Sequence, residues 1–187
     1  MAQKRKDWNG LISGFKASDL VFLDESGCNT DMTRQYAYSL GGSRAVDSAP
    51  LSKPKNTTIL SSIQLDGTLR YTTFSGGTTV ERFKRYLETD LLPHLNGNSV
   101  LIMDNMKSHH AKAVRNLLDS SGVRYIYLPP YSPDLNPIEK LWSKVKAFLR
   151  KFKARTLDAL PNAIQNAFHS VTISDCSGWF RFCGYAL

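Results

Sequence analysis

Residues 128–142 read LPPYSPDLNPIEKLW, a proline-rich turn that runs into a helix. Pro129, Pro130, Pro133 and Pro137 each fix φ, remove a backbone donor and hold the preceding residue extended, so the turn is stiff. Asn136 at an N-cap, Pro137 at the first helical position and Glu139 three residues past the cap make a helix-start signature. In the helix that follows, Ile138, Leu141, Trp142, Val145, Phe148, Leu149 and Phe152 recur at steps of three, one, three, three, one and three, which predicts a single apolar stripe for a core. Glu139 lies about 100° around the axis from Ile138, at the edge of that stripe. A carboxylate there faces the boundary between core and solvent, a suitable place for a metal ligand.

Upstream, Val123 to Leu128 alternates as a strand leading into the proline turn, and Ser108 is placed to cap a helix carrying Ala111, Val114, Leu117 and Leu118, closed by Gly122. Val100-Leu101-Ile102-Met103 is a short apolar run ended by Asp104, the pattern of a strand buried on both faces. Leu20-Val21-Phe22-Leu23 repeats that pattern and ends in Asp24, with Glu25-Ser26-Gly27 read as a turn. Between them, Tyr36 to Leu40 alternates as a second strand. Thr57–Leu65 and Thr68–Phe74 form a hairpin across Asp66-Gly67, and Thr78 with Glu81 makes a capping box for a helix that Pro93 stops. Beyond the central helix, Thr156 opens a further helix with Leu160, Ile164 and Phe168 in register, and the closing WFRFCGY packs back onto the domain.

Antiparallel strands followed by strand-helix units predict an α/β mixed sheet with helices on its faces, and active crevices in such sheets lie beyond the carboxyl ends of the parallel strands. Asp24 and Asp104 occupy such ends. On neighbouring strands their carboxylates would face one pocket and repel unless a cation lay between them. Glu139 can reach the same pocket, and three carboxylates suit Mg²⁺ or Mn²⁺, hard cations that also bind phosphate oxygens. Plainer readings exist: Asp24 and Asp104 as turn formers, Glu139 as half of a capping box, His109 and His110 as surface residues, and Trp142 as packing.

With 187 residues and no linker or repeat, the chain reads as a tail over residues 1–19 and one domain over 20–187. A net charge of +8 favours a polyanionic partner such as nucleic acid. Residues 140–155 hold seven basic side chains and no acidic one. Lys140, Lys144, Lys146 and Arg150 are therefore assigned to DNA, against the plain alternative of a solvated helix face. Cys28, Cys176 and Cys183 are odd in number and lack C-x-x-C spacing, which argues against a disulfide framework or structural zinc and fits a reducing compartment. No apolar run is long enough for a membrane span and no signal peptide is evident, so the expected location is cytoplasmic and nucleoid-associated in a bacterium, or nuclear in a eukaryote.

The chain resembles the catalytic domain of DDE transposases of the mariner type and their bacterial insertion-sequence relatives. The resemblance rests on LDESG at 23–27, LIMDN at 101–105 and LPPYSPDLNPIEKLW at 128–142, with 34 residues between Asp104 and Glu139, and it covers residues 20–187. It implies an RNase H-like fold and makes Asp24, Asp104 and Glu139 a triad holding two Mg²⁺ ions, with Asp24 bridging both. It also implies double-stranded DNA as the substrate, cleavage at element ends, transfer of the freed 3′-hydroxyl to target DNA, and two protomers synapsing the ends. Asn105 and the two histidines stand in a family-like context without assigned chemistry. Relatives carry an N-terminal helix-turn-helix region, and nothing before Leu20 is long enough to be one. The expectation is a split-frame product, a truncated copy or an excised fragment, with a separate helix-turn-helix polypeptide as a possible partner. Two alternatives share the residues: an RNase H-like nuclease or other integrase, and a catalytically idle DNA-binding module.

Overall fold

Strand β1 (Leu20–Cys28) organises the molecule because its successive side chains serve two different cores. In the computed structural model, which describes residues 2–34, 36–48, 50, 51 and 54–185, Leu20 and Phe22 enter one apolar cluster and Val21 and Leu23 another. The same alternation divides β4 (Val100–Met103): Val100 and Ile102 face the first cluster, Leu101 and Met103 the second. Such runs carry no polar face because neither side of the sheet meets water.

Among the described residues, β2 (Thr57–Gln64), β3 (Leu69–Ser75) and β5 (Arg124–Tyr127) complete a five-stranded sheet in the order β3-β2-β1-β4-β5. β2 and β3 join β1 as an antiparallel meander, while β4 and β5 run parallel to it. At the hairpin, Gly67 takes φ 88° and the Asp66 carboxylate accepts the Thr68 N–H at 2.8 Å, the turn chemistry expected of Asp-Gly. On one face lie α2 (Val80–Tyr86) and α3 (Lys112–Ser121), which bury Phe83, Tyr86, Val114 and Leu118. On the other lie α4 (Ile138–Phe152), α5 (Ala159–His169) and α6 (Ile173–Phe182). The expected mixed sheet with helices on both faces is therefore what forms.

Several local expectations are corrected. Glu25-Ser26-Gly27 is not a turn: β1 continues to Cys28 because β2 pairs with it along its length, Asp24 with Ser61 through Cys28 with Thr57. Tyr36 to Leu40 forms no strand; Tyr36, Tyr38 and Leu40 are exposed and no neighbouring strand pairs with them, so alternation alone does not make a ladder. The cap of α2 is Thr79, whose hydroxyl accepts the Arg82 N–H at 3.3 Å, one residue beyond the expected box. The helix expected from Ser108 begins at Lys112 without a side-chain cap. Phe152 leaves the core stripe of α4 and is exposed in the last turn.

The segment before Leu20 is helical rather than a tail. Helix α1 (Ala2–Ile12) buries Trp8 in the α4–α6 cluster, and its Arg5 guanidinium pairs with the Asp134 carboxylate and reaches Ser132 at 3.4 Å, both in the proline turn. The aromatic ending does pack back: Phe180 meets Phe22 edge-on at 5.3 Å, and Tyr185 lies 5.1 Å from Phe22. The three cysteines are buried and unbridged. Among the described residues no helix is long and apolar enough to cross a membrane.

Candidate metal and catalytic site

The parallel pairing of β1 with β4 stops at Leu23 and Met103. Asp24 is the next residue of β1 and Asp104 the first residue after β4, so the sheet opens beneath them. Asp24 is thus not at a strand end, as its sequence pattern suggested, but at the point where β1 loses one neighbour and keeps β2. Its side chain shares the parity of Leu20 and Phe22 and faces α4, where the Trp142 indole N–H donates to Oδ2 at 3.0 Å. Trp142 is core, as its spacing predicted, and is also a direct partner of the candidate ligand.

The proline turn is fastened at both ends. At its start the Leu128 N–H donates to the Met103 carbonyl at 2.8 Å, and the Asn105 amide donates to the Leu128 carbonyl at 2.5 Å. Towards its end the Tyr185 hydroxyl donates to the Leu135 carbonyl at 2.5 Å. In between, Tyr131 holds φ 55°, a left-handed conformation uncommon outside glycine and asparagine. The turn delivers Glu139 onto the first turn of α4, and Asp24, Asp104 and Glu139 line one cleft of about 460 Å³ together with Asn105, Tyr131 and Asn136.

The capping-box reading of Glu139 does not hold. No side chain caps the start of α4, and the buried Asn136 Oδ1 has no hydrogen-bond partner. Asn136 is extended at φ −111°, ψ 100°, and Pro137 is already helical, so the backbone enters the helix as expected while the exposed Glu139 is left to the cleft.

The two aspartates sit in unlike environments. Burial pushes the Asp24 carboxyl up to about 7, with the Glu25 N–H and the Trp142 indole opposing the shift. Burial also acts to raise Asp104, but His109 and the Met106 N–H hold its carboxyl below the usual carboxylate range. His109 is fully buried, stacked on Phe83 at 4.2 Å, with Nδ1 2.9 Å from Asp104 Oδ1 and Nε2 3.2 Å from Glu25 Oε1. Burial disfavours its charged form, yet the bonds to Asp104 and Glu25 prevail and lift it to about 10.

Among the described residues no three His, Cys, Asp or Glu side chains stand ready as a metal cage. Asp24 Oδ2 accepts from Trp142, and Asp104 uses Oδ1 for both His109 and Met106. The donor set nevertheless fits a hard cation. It consists of carboxylates alone on one cleft, and one of them is driven toward neutrality by burial that a cation would counter.

The four basic residues assigned to DNA divide into two groups. The Lys144 ammonium lies 2.5 Å from Asp175 Oδ2, and the Lys140 ammonium sits 3.8 Å above the Phe182 ring, so both are engaged with α6. Lys146 and Arg150, seven and eleven residues past Glu139, return to within about 20° of its direction on the helix and are partly exposed. Glu25 and His109 were missed by the sequence reading. The signal for Glu25 was its parity with Val21 and Leu23, legible only once β1 is known to continue; for His109 it was a His-His pair in a family-like context, with nothing to show its burial.

A family model described as DDE superfamily endonuclease matches residues 19–161. The transposable element Tc1 transposase of Caenorhabditis elegans is 30% identical over 97 residues, which are 50% of this chain and 36% of that protein. Among solved structures, a pre-cleavage Mos1 transpososome superimposes with a TM-score of 0.81 at 19% identity, covering 97% of this chain and 58% of that one. The Mos1 mariner paired end complex with Mn gives 0.79 at 20% identity over 95% and 57%, and the catalytic domain of Mos1 mariner transposase 0.73 at 17% over 96% and 85%. The shared feature is the fold, an RNase H-like mixed sheet. The chain spans about a third of the length of the curated relative and under three-fifths of the chains in the two Mos1 complexes.

Proposed function

The chain belongs to the DDE superfamily of endonucleases, and from that premise we propose that it is the catalytic domain of a cut-and-paste transposase. It cleaves DNA at element ends and joins the freed 3′-hydroxyl to target DNA, using Mg²⁺ or Mn²⁺. The observation that carries this reading is the convergence of Asp24, Asp104 and Glu139, from three separate segments, on one cleft. These three residues would hold two ions, which when bound supply activation of the attacking hydroxyl and stabilisation of the leaving oxygen. The chain's own part is positioning: the sheet opening sets the two aspartates at neighbouring strand positions, Trp142 restrains Asp24, and the fastened proline turn brings Glu139 to the same cleft. Likeness to paired end complexes supports two copies acting together on two DNA ends. Reading of the end sequence falls to a helix-turn-helix region outside residues 20–187, on the same or a separate polypeptide.

Incubation with supercoiled plasmid tests the reading. Nicking is expected in Mg²⁺ or Mn²⁺ and not in EDTA, and a duplex with a free 3′-hydroxyl should be joined to the plasmid. Nicking without joining would identify a nuclease instead. Because β1 and β4 are held by apolar packing on both faces, EDTA should leave the circular dichroism spectrum unchanged; unfolding on chelation would contradict this, since it is the behaviour of a metal-built fold.

Lys146 and Arg150 extend the Glu139 stripe along α4 and are assigned to backbone phosphates of the bound DNA. Replacing both with alanine should reduce the steepness of log affinity against log salt by about 2, at roughly 0.9 per phosphate contact. An unchanged slope would remove these residues from the interface, leaving the basic stretch as a solvated face.

A further inference from the structure

β1 puts consecutive carboxylates on opposite sides of the sheet: Asp24 toward α4 and the cleft, Glu25 toward α2 and α3. After Met103 the chain turns at Asp104 and folds His109 underneath, onto Phe83 and beside Glu25. The imidazole therefore ties the end of β4 to β1 where their backbone pairing has stopped. Each ring nitrogen faces a carboxylate oxygen, Nδ1 to Asp104 Oδ1 at 2.9 Å and Nε2 to Glu25 Oε1 at 3.2 Å. The ring is held in turn, since the Tyr127 hydroxyl donates to the His109 carbonyl at 3.0 Å and Phe83 covers one face.

Asp104 Oδ1 also accepts the Met106 N–H at 3.0 Å. Both donors thus fall on one oxygen, no hydrogen bond among the described residues engages Oδ2, and Asp104 lines the cleft. Nothing in strand pairing requires this bridge. A buried imidazole between two carboxylates is costly to desolvate unless its geometry is kept, and Glu25 Oε2 is left buried without a partner.

We infer that His109, anchored by Glu25, is a positioning residue that occupies Asp104 Oδ1 and so presents Oδ2 to a divalent cation at a fixed separation from Asp24. The inference rests on the metal-dependent reading of the cleft and assigns a role to two residues outside the carboxylate triad. Partners one step removed from a metal hold its ligands in orientation, and their loss weakens metal binding by roughly 10- to 100-fold.

The two nitrogens can be tested separately. Asparagine at 109 keeps a donor near the Nδ1 position and glutamine keeps one near Nε2. Titrating MnCl2 into the full chain by calorimetry should show His109→Gln binding Mn²⁺ roughly 10- to 100-fold more weakly than the parent, with His109→Asn the tighter of the two variants. A role in packing alone would reverse that ranking, because glutamine is nearer to histidine in volume. Glu25→Ala should weaken binding roughly tenfold and Glu25→Gln should restore it, and this pair decides the matter should the His109 variants not fold, as judged by circular dichroism in EDTA. Parental affinity in His109→Gln or in Glu25→Ala, with the parent binding Mn²⁺, would overturn the inference alone. No Mn²⁺ binding by the parent would overturn it together with the proposed function.

Discussion

Replacing Glu139 with glutamine is expected to remove DNA cleavage while leaving the metal-free fold as stable as the parent. The substitution keeps the size of the side chain and a hydrogen-bonding head group and removes only the charge. Had Glu139 served as half of a capping box, glutamine would replace it with little loss, but α4 begins without any side-chain cap, so no structural bond is at stake. Stability in EDTA should therefore move by no more than about 0.5 kcal/mol, the scale of a surface substitution. Relief of repulsion among three carboxylates on one cleft acts in the stabilising direction. Cleavage in Mg²⁺ should fall by at least about 10²- to 10³-fold, the loss typical of removing one preorganised electrostatic group. Added Mg²⁺ should also raise the variant's melting temperature less than the parent's, because tighter binding to the native state stabilises it more. Cleavage at the parental rate would remove Glu139 from the site.

The largest loss of stability is expected from Phe22→Ala. Phe22 is fully buried on the central strand, against Phe180 edge-on and Tyr185 tilted. Its removal opens a cavity between the sheet and the chain's aromatic ending, for which phenylalanine-to-alanine changes cost about 3–5 kcal/mol, a large part of a typical domain's 5–15 kcal/mol or so. Tyr185 also holds the Leu135 carbonyl, so loosening at Phe22 should spread to the proline turn. Equilibrium urea unfolding measures the cost. A loss below about 1 kcal/mol would mean that the two aromatic rings close the gap, and that the ending is a cover rather than part of the core.

The parts of this molecule that were legible in its sequence are those governed by local chemistry. The Asp-Gly turn, the doubly buried apolar runs that precede Asp24 and Asp104, and the proline-led entry to α4 each follow from a few neighbouring residues. The three carboxylates could be placed on one cleft because each sits at such a junction. What was not legible depended on residues distant in the chain. Glu25-Ser26-Gly27 has turn composition, yet eight residues of pairing with β2 keep it in β1, and only that continuation turns Glu25 to the far face. Tyr36 to Leu40 has strand alternation and no strand beside it. His109 looks like a surface residue until Phe83, Glu25 and Asp104 are assembled around it. Lys140 and Lys144 belong to a basic run, but α6 supplies Phe182 and Asp175 to engage them. Trp142 shows both sides of the division: its spacing on α4 announces a core residue, and only the tertiary fold reveals that its indole N–H reaches Asp24.

Whether Asp24, Asp104 and Glu139 form a single metal centre is tested by an anomalous-difference map from crystals of the chain soaked in MnCl2. Manganese density is expected in the cleft, in contact with the Asp24 and Asp104 carboxylates and within reach of Glu139, and none there in crystals of Asp24→Asn. Manganese bound only elsewhere on the chain, or none at concentrations that support cleavage, would contradict it.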